Sequence, residues 1–387
     1  MLPKAGRARH WLDGAPATEH EPRLKRLPLA ARIRGGRRLA KSHLSPKVSS
    51  AGYCPQMPVP KHRPRVVVVG DLVVDVVLAP DADLAPGSDV PGRVMLCQGG
   101  SAATTPRWLG RSGADASLIA SVGRDPAGRA LIRTIGEDGV IPRVIRIAGQ
   151  PTGRVGVFVA PGGERSFVQD RGAALRLTPE HLRPGWFAGA ELVHIPAYSL
   201  LDRPLGEAGR RAAELAHAAG ALVTVDLSSR GPLLALGRAG AVAVVRAVRP
   251  DLLFAAGSEA GVLADDEESL LDVAPVVVLK RGPQGASILY RGSESAAGAP
   301  PARRAAREAD PEADREAPAR LEVPARAVDA VDTTGAGDAF DAGFILGWLA
   351  ARRRGTSTAV ALRLAAVAGN RMAARQLSRP RPELAFQ

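Results

Sequence analysis

One nine-residue run concentrates the chemistry of this chain: Asp332-Thr333-Thr334-Gly335-Ala336-Gly337-Asp338-Ala339-Phe340. It follows an apolar stretch with strand character, Leu321 to Val331, and opens a helical pattern from Ala339 to Arg352. Small residues at Gly335, Ala336 and Gly337 allow a tight turn and leave backbone amides uncovered by side chains. At a helix N-terminus, unpaired amides and the macrodipole favour an anion. A carboxylate at Asp338 would repel that anion and makes a poor ligand for it. It suits a general base, which takes the proton from a hydroxyl attacking a phosphoryl group. Read without its neighbours, Gly-x-Gly-Asp is more often only a turn followed by a first-turn helix acid.

The elements that must hold such a site follow from the pattern of the chain. Val66 to Val69 form an unbroken apolar run, as in a strand buried on both faces, and end at Gly70-Asp71. The glycine spacing of a dinucleotide-binding Rossmann turn is absent there. Asp75 interrupts an apolar segment, Leu72 to Leu78, where a buried carboxylate needs a partner or a ligand. Gly99-Gly100 opens a helix over Ala102 to Leu109, a turn that admits a ligand close to the backbone. Val155–Val159 and Arg165–Gln169 flank a Pro-Gly-Gly turn and read as a hairpin. Arg165, Asp170 and Arg171 beside it read as solvated charges. From Leu192 onward, strand and helix alternate, with strands at 221–226, 252–254, 276–279 and 286–290. This predicts a doubly wound α/β sheet with ligands at the carboxyl ends of its strands, where Asp226 and Lys280 stand.

Charge points to a tail rather than to a nucleic-acid-binding body. The net charge is +13, yet residues 1–65 carry 15 Lys and Arg against 3 Asp and Glu, which leaves the remainder near neutrality at +1. Residues 1–62 lack periodicity and read as a disordered basic extension. The segment 293–320, rich in Ala, Pro, Arg and Glu, reads as a disordered insertion in a domain spanning 63–387. No apolar run approaches the roughly 18 residues needed to cross a membrane. The two cysteines, Cys54 and Cys97, have no metal or redox spacing and are expected to be free thiols in a reducing cytoplasm.

The nine-residue run resembles the C-terminal signature of the PfkB, or ribokinase-like, carbohydrate kinases, and the resemblance extends over about residues 65–380. It implies a ribokinase-like α/β/α sandwich with a mostly parallel sheet and a small β-sheet lid, drawn from about 74–98 and 153–170. The implied reaction is ATP-dependent phosphorylation of a hydroxyl on a sugar or nucleoside-like substrate. Asp338 is then the base, and the amides of Gly335, Ala336 and Gly337 form the anion hole. The resemblance puts substrate contacts at Asp75, Gly99, Gly100, Thr104 and Asp338. It puts ATP contacts at Asp226, Lys280, Gly282, Gly285, Thr334 and Gly337, and a water-mediated magnesium contact at Glu259. Several positions depart from the family pattern. Thr104 stands for the Asn of the N-terminal signature, Val73 for an Asn of ribokinase-type members, and Ala255-Ala256 for the Pro-Asn preceding Glu259. These losses keep open a non-catalytic sugar or nucleotide sensor on the same fold. A homodimer formed through the exposed edges of the lid is a further expectation.

Overall fold

The computed structural model describes residues 62–291 and 317–386. The expectations for the basic extension and for most of the insertion fall outside these residues. The insertion is shorter than the sequence implied, because Pro318–Val323 is a strand paired in register with Ala286–Arg291. Residues 324–331, expected to continue that strand, have no regular structure.

Among the described residues the main sheet has nine strands. They are β1 (Arg65–Val69), β4 (Asp115–Gly123), β5 (Val140–Ile147), β8 (Leu192–Pro196), β9 (Leu222–Asp226), β10 (Leu252–Ala256), β11 (Val276–Lys280), β12 (Ala286–Arg291) and β13 (Pro318–Val323). Their order is β13-β12-β11-β10-β9-β8-β1-β4-β5, parallel from β5 to β11 and antiparallel at β12 and β13. The chain leaves β1 towards β4 and β5, then returns to the other side of β1 with β8. Such a reversal opens a crevice at the carboxyl ends of the strands. The residues at those ends are Gly70-Asp71, Asp226, Ala256 and Lys280.

Helices cover both faces. On one side lie α1 (Ser101–Arg111), α2 (Pro126–Glu137), α7 (Ala336–Arg353) and α8 (Thr358–Leu377). On the other lie α4 (Leu205–Ala218), α5 (Arg230–Arg246) and α6 (Gly257–Leu263), preceded by the short α3 (Tyr198–Leu201). Val66 to Val69 are fully buried between these layers. Each such side chain contributes about 1.5–3 kcal/mol of transfer free energy. Phe254 of β10 meets Phe344 of α7 edge-on at 5.3 Å, which packs the middle of α7 onto the sheet. Gly343 lets α8 lie close behind, since a Cβ there would stand 2.6 Å from the Ala368 carbonyl oxygen.

The second sheet has the order β3-β2-β6-β7, from β2 (Val73–Pro80), β3 (Gly92–Gly99), β6 (Arg154–Val159) and β7 (Arg165–Asp170). Its strands alternate between faces. Asp75, Val77, Cys97, Val155 and Val157 share one face, while Leu78, Val94, Leu96 and Val168 share the other and are exposed. Cys97 is a buried free thiol, and Cys54 lies outside the described residues. Among the described residues no helix is long and apolar enough to cross a membrane.

Candidate active site

A cavity of about 670 Å³ lies between the two sheets. Asp75, Gly99, Gly100 and Thr104 line one end, and Asp226, Glu259, Lys280 and Gly282 line the other. Thr334, Gly335, Ala336, Gly337 and Asp338 lie on the same wall. Apart from Gly285, every residue that the sequence singled out for a site lines this one cavity. Gly285 belongs to the turn between β11 and β12. It has φ +98°, and a Cβ there would stand 2.2 Å from the Val323 carbonyl oxygen, so this glycine serves backbone packing.

The Gly-Ala-Gly turn is built at the N-terminus of α7. Gly335 is its N-cap in the left-handed region, φ +76°, a conformation that costs other residues about 1–2 kcal/mol. The turn is tied from both sides: Thr334 N–H donates to Asp332 Oδ1 at 2.8 Å, and Gln376 Nε2 donates to the Thr334 carbonyl at 2.9 Å. Trp108 of α1 in turn holds Gln376, donating from Nε1 at 3.2 Å. Asp338, half-buried in the first turn of α7, has its carboxyl pushed well above the ordinary range. Burial is the main cause and Asp226 the second, with Lys280 opposing them.

Lys280 sits under this turn. A Cβ on Gly337 would stand 3.2 Å from its ammonium, which lies 2.7 Å from Asp226 Oδ1 and 3.4 Å from Asp341. Burial works against the charged ammonium. Asp226 first, then Asp341 and Glu259, outweigh it and push the pKa up, so the lysine is cationic. Glu259 is buried and accepts from the Ala256 N–H at 2.7 Å through Oε2, capping its own helix. Burial and Asp226 push its carboxyl up.

At the other end, Asp75 is buried and paired through Oδ2 with Arg381 at 2.6 Å. Its Oδ1 faces Gly99, where a Cβ would come within 1.9 Å. Thr104 lines the cavity and keeps its acceptor sites for a ligand. Its Oγ1 donates to the Gly100 carbonyl at 3.1 Å, so its single donor is already used. Two arginines read as solvated are turned inward. Arg165 donates to Thr334 Oγ1 and lies 3.8 Å from Asp332; Arg171 is buried, 3.3 Å from Asp202 and 3.9 Å from Asp71. Asp170 is exposed as expected.

Sequence reasoning missed four residues here: Asp71, Trp108, Asp341 and Arg381. Asp71 carried a signal, a Gly-Asp pair closing a buried strand. So did Asp341, a carboxylate one turn after Asp338 in an otherwise apolar helix. Trp108 and Arg381 carried none.

The pfkB family carbohydrate kinase model matches residues 63–306 and 316–380. The chain belongs to the PfkB family of carbohydrate kinases. This kinase is 30% identical over 295 residues to a fructokinase from Klebsiella pneumoniae, covering 73% of this chain and 84% of the relative. Among solved structures it resembles a putative ribokinase II from E. coli in complex with ATP and magnesium. That match has a TM-score of 0.64 and 23% identity, over 82% of this chain and 94% of the other. It also resembles an adenosine kinase from Sinorhizobium meliloti, with a TM-score of 0.61 and 24% identity, over 84% and 98%. At these identities the structural likenesses speak for the fold: a ribokinase-like sandwich with a small second sheet.

Proposed function

We propose that this kinase transfers the γ-phosphoryl group of ATP to a hydroxyl of a neutral sugar or sugar-like substrate. Asp338 acts as general base, and the amides of Gly335, Ala336 and Gly337 form the anion hole. The observation that carries this reading is the opening of Asp338 and its glycine turn onto the same cavity as Asp75, Gly99 and Gly100. A substrate hydroxyl held at that end meets the base, and the donor's terminal phosphate meets the helix N-terminus. The base removes the proton as the oxygen attacks; the amides take up charge as it develops on the transferred group.

The residues present fit a magnesium nucleotide. No side chain of the Gly-Ala-Gly turn is larger than a methyl group, one lysine stands below the turn, and Asp226, Glu259 and Gly282 line the same end. Magnesium would supply charge neutralisation at the phosphates, and Glu259 would anchor it through water. Lid strands over a bound substrate would exclude water, which otherwise competes as acceptor.

Ion pairing in the cavity favours a neutral substrate. A sugar phosphate would need free cations at the lid. The two arginines suited to that task, Arg165 and Arg171, face Asp332 and the Asp71–Asp202 pair, and Arg381 faces Asp75 and Asp332. The outward face of the lid, where Val94 and Val168 are 68% and 77% exposed, suits a homodimer formed through the lid. The test is ADP release by the full chain with Mg-ATP against hexoses, pentoses, nucleosides, sugar acids and hexose phosphates. Stimulation by a neutral polyol or nucleoside is expected. Stimulation by hexose phosphates alone, or by nothing, would overturn the reading.

A further inference from the structure

After α8 the chain does not leave the body. Residues 379–382 form part of the cavity wall, and the backbone then runs along β3. Leu384 N–H donates to the Leu96 carbonyl at 2.6 Å, Glu383 bridges Cys97, and the Leu384 side chain is buried. The segment is thus anchored on the second sheet, and Arg381 is carried across to β2.

Arg381 then makes two ion pairs with the two edges of one guanidinium. Nη1 lies 2.6 Å from Asp75 Oδ2, and Nε lies 3.0 Å from Asp332 Oδ2. The other oxygen of Asp332 accepts from the Thr334 N–H at the start of the catalytic turn. One unbroken path therefore runs from the carboxylate at the sugar end, through Arg381 and Asp332, to the turn that precedes Asp338. A planar fork can span two carboxylates in this way, whereas a lysine ammonium is a single point on a flexible stem. The pairing also bears on what Asp75 offers a ligand. With Oδ2 engaged by Arg381, Oδ1, beside Gly99, is the oxygen without a side-chain partner and so the readier to accept a hydroxyl.

We infer that Arg381 is a positioning residue for substrate: it holds Asp75 so that Oδ1 faces the sugar, and it ties that carboxylate to the catalytic turn. The inference rests on the reading of this cavity as the sugar site. Arg381 itself need not touch the sugar. Burial raises the Asp75 carboxyl above the ordinary range, and Arg381 is the first group that opposes it.

The test uses Arg381→Ala in the full chain, with steady-state kinetics for sugar and for ATP separately. The KM for sugar should rise about 10- to 100-fold, the range expected for losing a hydrogen bond to a charged group. The KM for ATP should stay within about twofold. Added guanidinium at millimolar concentration should restore part of the sugar affinity, which repair of a merely loosened segment would not do. Leu384→Ala, which loosens the anchor and leaves the fork in place, should change the sugar KM less than Arg381→Ala does. An unchanged sugar KM in Arg381→Ala, an equal effect from Leu384→Ala, or no response to guanidinium would each overturn the inference. If the wild-type chain phosphorylates no sugar, the functional reading fails instead, and the two failures are distinguishable.

Discussion

Lys280 Nζ stands 2.7 Å from Asp226 Oδ1, so the last residue of β9 and the last residue of β11 meet across β10 as an ion pair. Lys280 is the one lysine among the described residues. It is surrounded by carboxylates, since Asp341 is fully buried beside it and Glu259 and Asp338 also feel its charge. Each of these acids is costly to bury alone, and the ammonium offsets that cost.

Removing the cation should therefore be felt as lost stability as well as lost turnover. Lys280→Met is expected to cost about 3–5 kcal/mol, the range for breaking one side of a buried pair. Denaturant unfolding measures it. Adding Asp341→Asn to that variant should return part of the loss, because one of the uncompensated charges disappears with it.

Activity should fall on the acid side at a higher pH than an ordinary carboxylate would give. In its proposed role Asp338 acts as a base only when ionised, and its pKa is raised by burial and by Asp226. The acid limb of kcat should lie above pH ~4, the region of an unperturbed aspartate. Asp226→Asn removes one of the raising charges and should move the limb down. A limb that stays in place in this variant would contradict the assigned cause.

The same raised pKa has a consequence for folding. A carboxyl whose folded pKa exceeds its unfolded value stabilises the fold below the unfolded pKa, and that contribution is lost as pH rises through the folded pKa. Asp338→Asn is neutral at every pH. Its Tm at pH 7.5 should therefore equal or exceed that of the wild type, and a clear drop would show that the carboxylate is needed structurally.

Gly99→Ala tests the sugar end. Its Cβ would fall 1.9 Å from Asp75 Oδ1, so the carboxylate must move. The expected result is a sugar KM raised by about tenfold or more with the ATP KM little changed, from the loss of a charge-assisted hydrogen bond.

Much of this site was legible in the sequence because local patterns carried it. The Val66–Val69 run, the strand–helix alternation after Leu192 and the run from Asp332 to Phe340 each announce a conformation without tertiary information. The remainder depended on long-range partners. Arg381 sits in an Arg-Pro-Arg-Pro stretch, Arg379 to Pro382, with no local pattern of its own, and its contact 306 residues away at Asp75 gives it meaning. Arg165 and Arg171 looked like surface charges because the carboxylates they face, Asp332, Asp71 and Asp202, lie on other elements. Thr104 shows the limit of reading by residue type, since the donor of its hydroxyl is taken by the Gly100 carbonyl at the start of its own helix. The chain holds a single asparagine, Asn370, so the missing asparagines at Thr104 and Ala256 accompany a composition poor in Asn throughout.

The most direct test of the central claim is turnover by Asp338→Asn with the sugar that best stimulates the wild type, alongside ATP affinity by calorimetry. The account predicts a rate lowered by about 10²–10⁴, the usual contribution of a general base, with ATP binding retained. Turnover close to wild type in a folded Asp338→Asn protein would contradict it.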